Sequence, residues 1–136
     1  MATSEVIYTG ELSTTATHLS SSGQLITDAP IDNNGLGRTF SPTDLLATSL
    51  ASCMLTIMGI RAKESSLNIE GTSATVTKIM GAAPRRVAEI RIDVVITDNG
   101  LTQTQRTVLE KAALTCPVAL SLSESLKQTV SFRYRK

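Results

Sequence analysis

Two residues of this chain have side chains suited to nucleophilic or redox chemistry, Cys53 and Cys116, and no other cysteine is present. Cys53 lies in LLATSLASCMLTIMGI, sixteen uncharged residues between Asp44 and Arg61; Cys116 lies in ALTCPVAL, directly before Pro117. A thiol in so apolar a segment is either an inert small hydrophobe or a guarded reactive group. Burial alone raises a thiol pKa and silences it. A nearby guanidinium reverses this, because at about 4 Å and an effective dielectric near 20 the attraction is on the order of 4 kcal/mol. Cys116 stands where a helix should begin, and a helix N-terminus favours thiolate; the plainer reading is a buried cap residue. Two cysteines in such positions suggest a pair that closes a disulfide during turnover.

The candidate source of positive charge is Arg38. Residues 1–37 carry Glu5, Glu11, Asp28 and Asp32 and no Lys or Arg, so Arg38 is the first cation of the chain, on a glycine-rich loop leading toward Cys53. Its plainer role is that of an exposed loop arginine. Asp44 is nine residues before Cys53, two and a half helical turns away, so the two side chains cannot meet within one straight helix. Asp44 is then a helix cap, a residue that orients Arg38, or a contributor to a partner subunit's site. His18 is the only histidine, which makes a zinc site a weak proposition, and no GxGxxG, P-loop, HExxH or Ser-His-Asp pattern occurs. Neither a metal nor a bound cofactor is expected.

Something must hold these groups in place, and 136 residues suffice for one domain, expected to span 1–136. A hydrophobic share of 41% against 18% charge argues for a packed chain over a disordered one, and 3% aromatics with no Trp make the core aliphatic. A net charge of +1 gives no general attraction to nucleic acid or to a membrane. The opening MATSEVIYTGEL has no basic flank and no apolar h-region, so a cytosolic protein is expected, where cysteines are free thiols or a working redox pair. The uncharged stretch falls short of the roughly 20 residues that span a bilayer, and a buried helix is expected.

Thr-rich runs broken by Gly10 and Gly23 predict three short strands over 5–27, followed by the loop DAPIDNNGLGR. Ser41, Pro42 and Asp44 make a capping-box-like start for a helix running to about Glu64, with Leu46, Leu50, Cys53, Ile57 and Ile60 along one face. Other faces are apolar too, so the helix must be enclosed, and a homodimer is the expected means. Strands follow at about 68–80 and 86–98. In the second, Ala88, Ile90, Ile92, Val94 and Ile96 alternate with Val87, Glu89, Arg91, Asp93 and Val95. A helix over about 102–115, a break at Cys116-Pro117, a shorter helix through about Ser125 and a strand over 126–135 complete the chain. In that strand Leu126, Gln128, Val130, Phe132 and Tyr134 share one face. The order βββ-α-ββ-α-α-β predicts an α+β fold with antiparallel pairing, its sheet packed on the long buried helix.

The segments FSPTDLLATSLASCMLTIMGI and ALTCPVALSL resemble the two cysteine motifs of the OsmC/Ohr family, the osmotically inducible and organic hydroperoxide resistance proteins. In that family a Ser/Asn-Pro-x-Glu-Leu-Leu run leads a helix to the first cysteine, and a Cys-Pro follows some sixty residues later. The likeness covers essentially the whole chain. It implies an OsmC-like fold and an intertwined homodimer with sites at the subunit interface. It further implies a thiol-dependent peroxidase acting on organic hydroperoxides or hydrogen peroxide. Cys53 would attack the peroxide and become a sulfenic acid, Cys116 would resolve it to a disulfide, and a dithiol, in some members a lipoyl group, would reduce that disulfide. The hydroperoxide-resistance branch has Glu at the position occupied here by Thr43, with Asp44 the nearest acid, and draws its activating Arg from N-terminal strands that here contain none. Arg38 is therefore the basic residue ahead of the helix that can take that part. The rival reading is a non-catalytic binder of apolar small molecules, in which both cysteines only pack.

Overall fold

The computed structural model covers residues 1–136, and its backbone forms two compact units, Met1–Leu46 and Ala47–Lys136. In the first, β1 (Ser4–Gly10), β2 (Ser13–His18) and β3 (Gln24–Asp28) make an antiparallel sheet in the order β1-β2-β3. The β1–β2 turn places both Glu11 and Leu12 at positive φ, as two-residue hairpin turns require to match strand twist. After β3 the loop contains a single 3-10 turn, Ile31–Asn33, closed by Asn34 in the left-handed region. Gly35 is obligatory there: a Cβ at this position would sit 1.7 Å from the Ala29 carbonyl oxygen. That close approach doubles the loop back over the end of β3 and so determines where Arg38 falls.

Helix α1 (Pro42–Glu64) starts as the sequence predicts. The Ser41 hydroxyl accepts from the Asp44 N–H at 3.1 Å while the Ser41 N–H donates to the Asp44 carboxylate at 2.9 Å, a reciprocal capping box. At 23 residues α1 is long and apolar enough to cross a membrane, more so than the uncharged stretch alone suggested. Its Ala47, Leu50, Ala51, Met54, Met58 and Ala62, however, are buried in the core of the second unit. This buried face is rotated from the expected one. Leu46 and Ile60 remain 38% and 49% exposed, and Cys53 and Ile57 lie at the margin, the side turned to the core being the one that carries Ala47, Leu50, Met54 and Met58.

The second sheet has the order β4-β5-β6, with β4 at Ser73–Gly81, β5 at Arg86–Thr97 and β6 at Lys127–Arg135. β4 starts later than the apolar pattern suggested because residues 68–72 are used in turns: Asn68 accepts from the Glu70 N–H, and Thr72 bonds back to the Ile69 carbonyl. β4 and β5 pair antiparallel, but β5 and β6 pair parallel, which corrects the expectation of antiparallel pairing throughout. The chain between them travels through α2 (Gln103–Leu114) and α3 (Pro117–Ser121), and such a helical crossover returns it to the end from which β5 began. Along β5, Ile90, Ile92, Val94 and Ile96 point into the core as predicted. Val87 is buried as well, against the predicted alternation, because pairing slips from Ile79↔Glu89 to Met80↔Val87 and leaves Ala88 as an extra residue that resets the parity.

Helix α2 opens on a capping box at Thr102 and Gln105. It is anchored near the ends of β5 and β6 by Arg106, which pairs with buried Asp98 and stacks 4.2 Å over the Tyr134 ring, and by Glu110, which accepts from the Tyr134 hydroxyl. α3 ends at Ser121, short of the expected Ser125, since Leu122 turns extended and Ser123 to Leu126 form a turn of their own. The α+β class and the element order are those read from the sequence.

Candidate active site: the Cys53 and Cys116 pair

Cys53 lies on α1 three residues beyond Leu50, and Cys116 is the N-cap of α3. Both belong to the second unit, Cys116 within its core and Cys53 packed against that core, and the two thiols are hydrogen-bond neighbours. Both are free thiols, Cys116 fully enclosed and Cys53 partly accessible. The Cys116 side chain is held from two directions. Pro117 at the first position of α3 fixes the backbone entering the helix, and the amides of Ala119 and Val118 aim at the Cys116 sulfur. Burial pushes the Cys116 thiol above its ordinary range, the Ala119 amide opposes this, and the hydrogen bond to Cys53 pushes it up further. Burial thus favours the protonated form of Cys116. The helix start expected to favour a Cys116 thiolate is outweighed by desolvation.

Arg38 and Asp44 lie in the first unit. Asp44 is the cap of α1 described above. Arg38 is held by a residue that the sequence reading did not single out. Its Nε donates to Asp28 Oδ2 at 2.8 Å and its Nη2 to Oδ1 at 3.0 Å, a two-pronged ion pair, while its own backbone N–H also reaches Oδ2 at 2.9 Å. The Ser13 hydroxyl donates to the same carboxylate and accepts from Arg38 Nη2 at 3.1 Å. Asp28 is 1% exposed and the Arg38 side chain 59% exposed, so a buried acid fixes a guanidinium that faces outward. The hydrogen bonds from Arg38 and Ser13 hold the Asp28 carboxyl far below the usual carboxylate range. No sequence signal marks Asp28, because a strand-terminal acid reads like any other turn residue; only the folding back of the loop at Gly35 gives it this role.

The ion pair has a pH signature. Because the folded state depresses the Asp28 pKa, its contribution to stability is complete above the ordinary Asp range near about 3.9 and is lost as pH falls well below it. Asp28→Asn is expected to lower Tm by several degrees at pH 7, and the gap to the wild type to narrow progressively as pH falls below about 4. Thermal unfolding of both proteins across pH 2–7 checks this, and a gap independent of pH would contradict it.

A family model described as OsmC-like protein matches residues 35–131. None of the curated proteins matches the chain in sequence. Among solved structures, a predicted osmotic stress induced and detoxification response protein from Psychrobacter arcticus 273-4 is 51% identical, over 98% of this chain and 96% of its own, with a TM-score of 0.93. An organic hydroperoxide resistance protein OsmC from Legionella pneumophila is 19% identical over 98% of both chains, with a TM-score of 0.71. An organic hydroperoxide resistance protein from Elizabethkingia anophelis, crystallised with thiocyanate bound, is 16% identical over 99% of this chain and 98% of its own, with a TM-score of 0.74. The latter two share the fold. With the family model covering residues 35–131 and a 51% identical relative aligned along nearly the full length, the chain belongs to the OsmC-like family.

Proposed function

We propose that this protein is a thiol-dependent peroxidase that reduces organic hydroperoxides or hydrogen peroxide through Cys53 and Cys116. The observation that carries this reading is the pair itself: a partly accessible sulfur hydrogen-bonded to an enclosed thiol held protonated. The names of the structural relatives from Legionella pneumophila and Elizabethkingia anophelis, both organic hydroperoxide resistance proteins, lean the same way. In the proposed cycle the Cys53 thiolate attacks one peroxide oxygen and the O–O bond breaks. The alcohol leaves with a proton from solvent, and Cys53 is left as a sulfenic acid. The Cys116 sulfur then attacks the Cys53 sulfur, the S–S bond forms, the S–O bond breaks, and hydroxide departs with the Cys116 proton as water. A dithiol reductant, of which a lipoyl group is one candidate, returns both thiols by exchange.

Arg38 is the proposed source of positive charge for the Cys53 thiolate, contributed by the same chain or by a second copy, with Asp44 assigned to the start of the Cys53 helix. A homodimer and a cytosolic setting belong to the same reading. In the first unit the exposed Val6, Tyr8 and Leu25 share one face of the sheet and are apolar surface that a second copy would cover. Mass spectrometry after one equivalent of hydroperoxide tests the proposal. Loss of two hydrogens as a Cys53–Cys116 link is expected, whereas two unmodified thiols would leave a small-molecule binder with packing cysteines.

A further inference from the structure

We propose that Gln128 is the positioning residue for Cys116, fixing α3 so that the Cys116 thiol can close on oxidised Cys53. The inference rests on the peroxidase reading and concerns its second step alone. Along β6 the inward-facing residues are Gln128, Val130, Phe132 and Tyr134, and the first of these is the exception, an amide where the alternation places apolar or aromatic side chains. Gln128 stands opposite Ile90, which is fully buried. A carboxamide on a core face is costly unless its hydrogen bonds are met, so it is retained for a contact that an apolar residue cannot make.

That contact is with α3. Gln128 Nε2 donates to the Ala119 carbonyl at 3.0 Å. α3 has five residues, too few to be stable by its own hydrogen bonds, and the carbonyls of its last turn need partners from outside. Ala119 is also the residue whose amide N–H aims at the Cys116 sulfur. The links therefore run in series: the β6 carboxamide holds the Ala119 carbonyl, the Ala119 amide holds the Cys116 sulfur, and the Cys116 thiol neighbours that of Cys53. Further support comes from the Leu120 N–H, which bonds to the Cys116 carbonyl at 3.1 Å and makes the turn a closed unit that shifts as one body when its tether is cut.

The chemistry explains why such a tether matters. Peroxide cleavage at Cys53 uses an incoming small molecule that finds its own alignment. Disulfide closure joins two protein-bound sulfurs, which must come to about 2.05 Å along the S–O axis of the sulfenic acid. A misplacement of the order of 1 Å in such a step costs up to roughly a hundredfold. Loss of the Gln128 tether is thus expected to act on closure and to spare peroxide cleavage.

The test uses Gln128→Met, which preserves side-chain volume and suits the apolar face, and Gln128→Glu, which preserves shape but puts a carboxylate where the donor was. Each is mixed with one equivalent of tert-butyl hydroperoxide, and sulfenic acid trapped by a 1,3-diketone is measured against disulfide. The expected result for both is disulfide closure slowed about tenfold or more, with a matching rise in trapped sulfenic acid, while peroxide consumption in the first turnover stays within about twofold of wild type. Closure at the wild-type rate in the Met variant, or equal slowing of both steps, would overturn the proposal. A wild type that forms neither sulfenic acid nor disulfide would instead dispose of the peroxidase reading on which it rests.

Discussion

Replacing Cys53 with serine is expected to reduce steady-state consumption of an alkyl hydroperoxide, with dithiothreitol or dihydrolipoamide as reductant, by roughly a thousandfold or more. The serine hydroxyl is not ionised near neutral pH, and its oxygen is a poor nucleophile toward a peroxide bond. A thiolate is strong on both counts. Cys53 is only partly buried, so the exchange of sulfur for oxygen should leave the fold intact and the effect should be chemical. Cys116→Ser supplies the contrast. Without added reductant its first turnover should proceed, one equivalent of peroxide being consumed, after which Cys53 stays as sulfenic acid for want of a resolving thiol and a second equivalent of peroxide oxidises it to sulfinic acid. The reverse pattern, with Cys116→Ser losing the first turnover, would exchange the roles assigned to the two sulfurs. Wild-type rates in Cys53→Ser would end the proposal.

Leu50→Ala is expected to give the largest loss of stability from a single truncation on α1, about 2–5 kcal/mol. Leu50 is fully buried, one turn before Cys53, in the core shared with Ile90, Ile92 and Leu109. Its removal forfeits the transfer free energy of the lost methyl groups and leaves a cavity that a helix with alanines on the same face cannot easily close. Against a total stability of about 5–15 kcal/mol this is a large share. Urea unfolding, with the midpoint lowered at unchanged slope, is the measurement. Leu46→Ala, one turn earlier and substantially exposed, is expected to cost less than about 1 kcal/mol if the isolated chain is the species in solution. A loss at Leu46 as large as that at Leu50, growing weaker with dilution, would indicate that a second copy covers that stripe, in line with the proposed homodimer.

Much of the architecture was legible because local signals and the long pattern agreed. The Ser41-Pro42-Asp44 start of α1, the start of α2 near Thr102 and the alternation of β5 each named an element to within a residue or two, and the structure realises the predicted capping box at Ser41 and Asp44. Three of the differences share one origin. The parallel pairing of β6, the bulge that turns Val87 inward and the rotated buried face of α1 all depend on which surfaces meet, and a helix apolar nearly all round carries no signal to say which of its sides that will be.

The sequence by itself determined that two thiols stand at ordered, apolar positions, one in a capped helix and one at a Cys-Pro helix start, and that Arg38 is the first cation of the chain. Those are properties of residue type and short-range spacing, which local physics reads directly. Only the tertiary structure decided that the two thiols are hydrogen-bond neighbours, that Cys116 is desolvated, that buried Asp28 and Ser13 hold Arg38, and that Gln128 on the strand after α3 bonds to the Cys116 helix. Each of these relations joins residues from separate elements. A hydrogen bond or a desolvated thiol takes its value from the few ångströms around it, and those are set by chain crossings that no window of sequence contains.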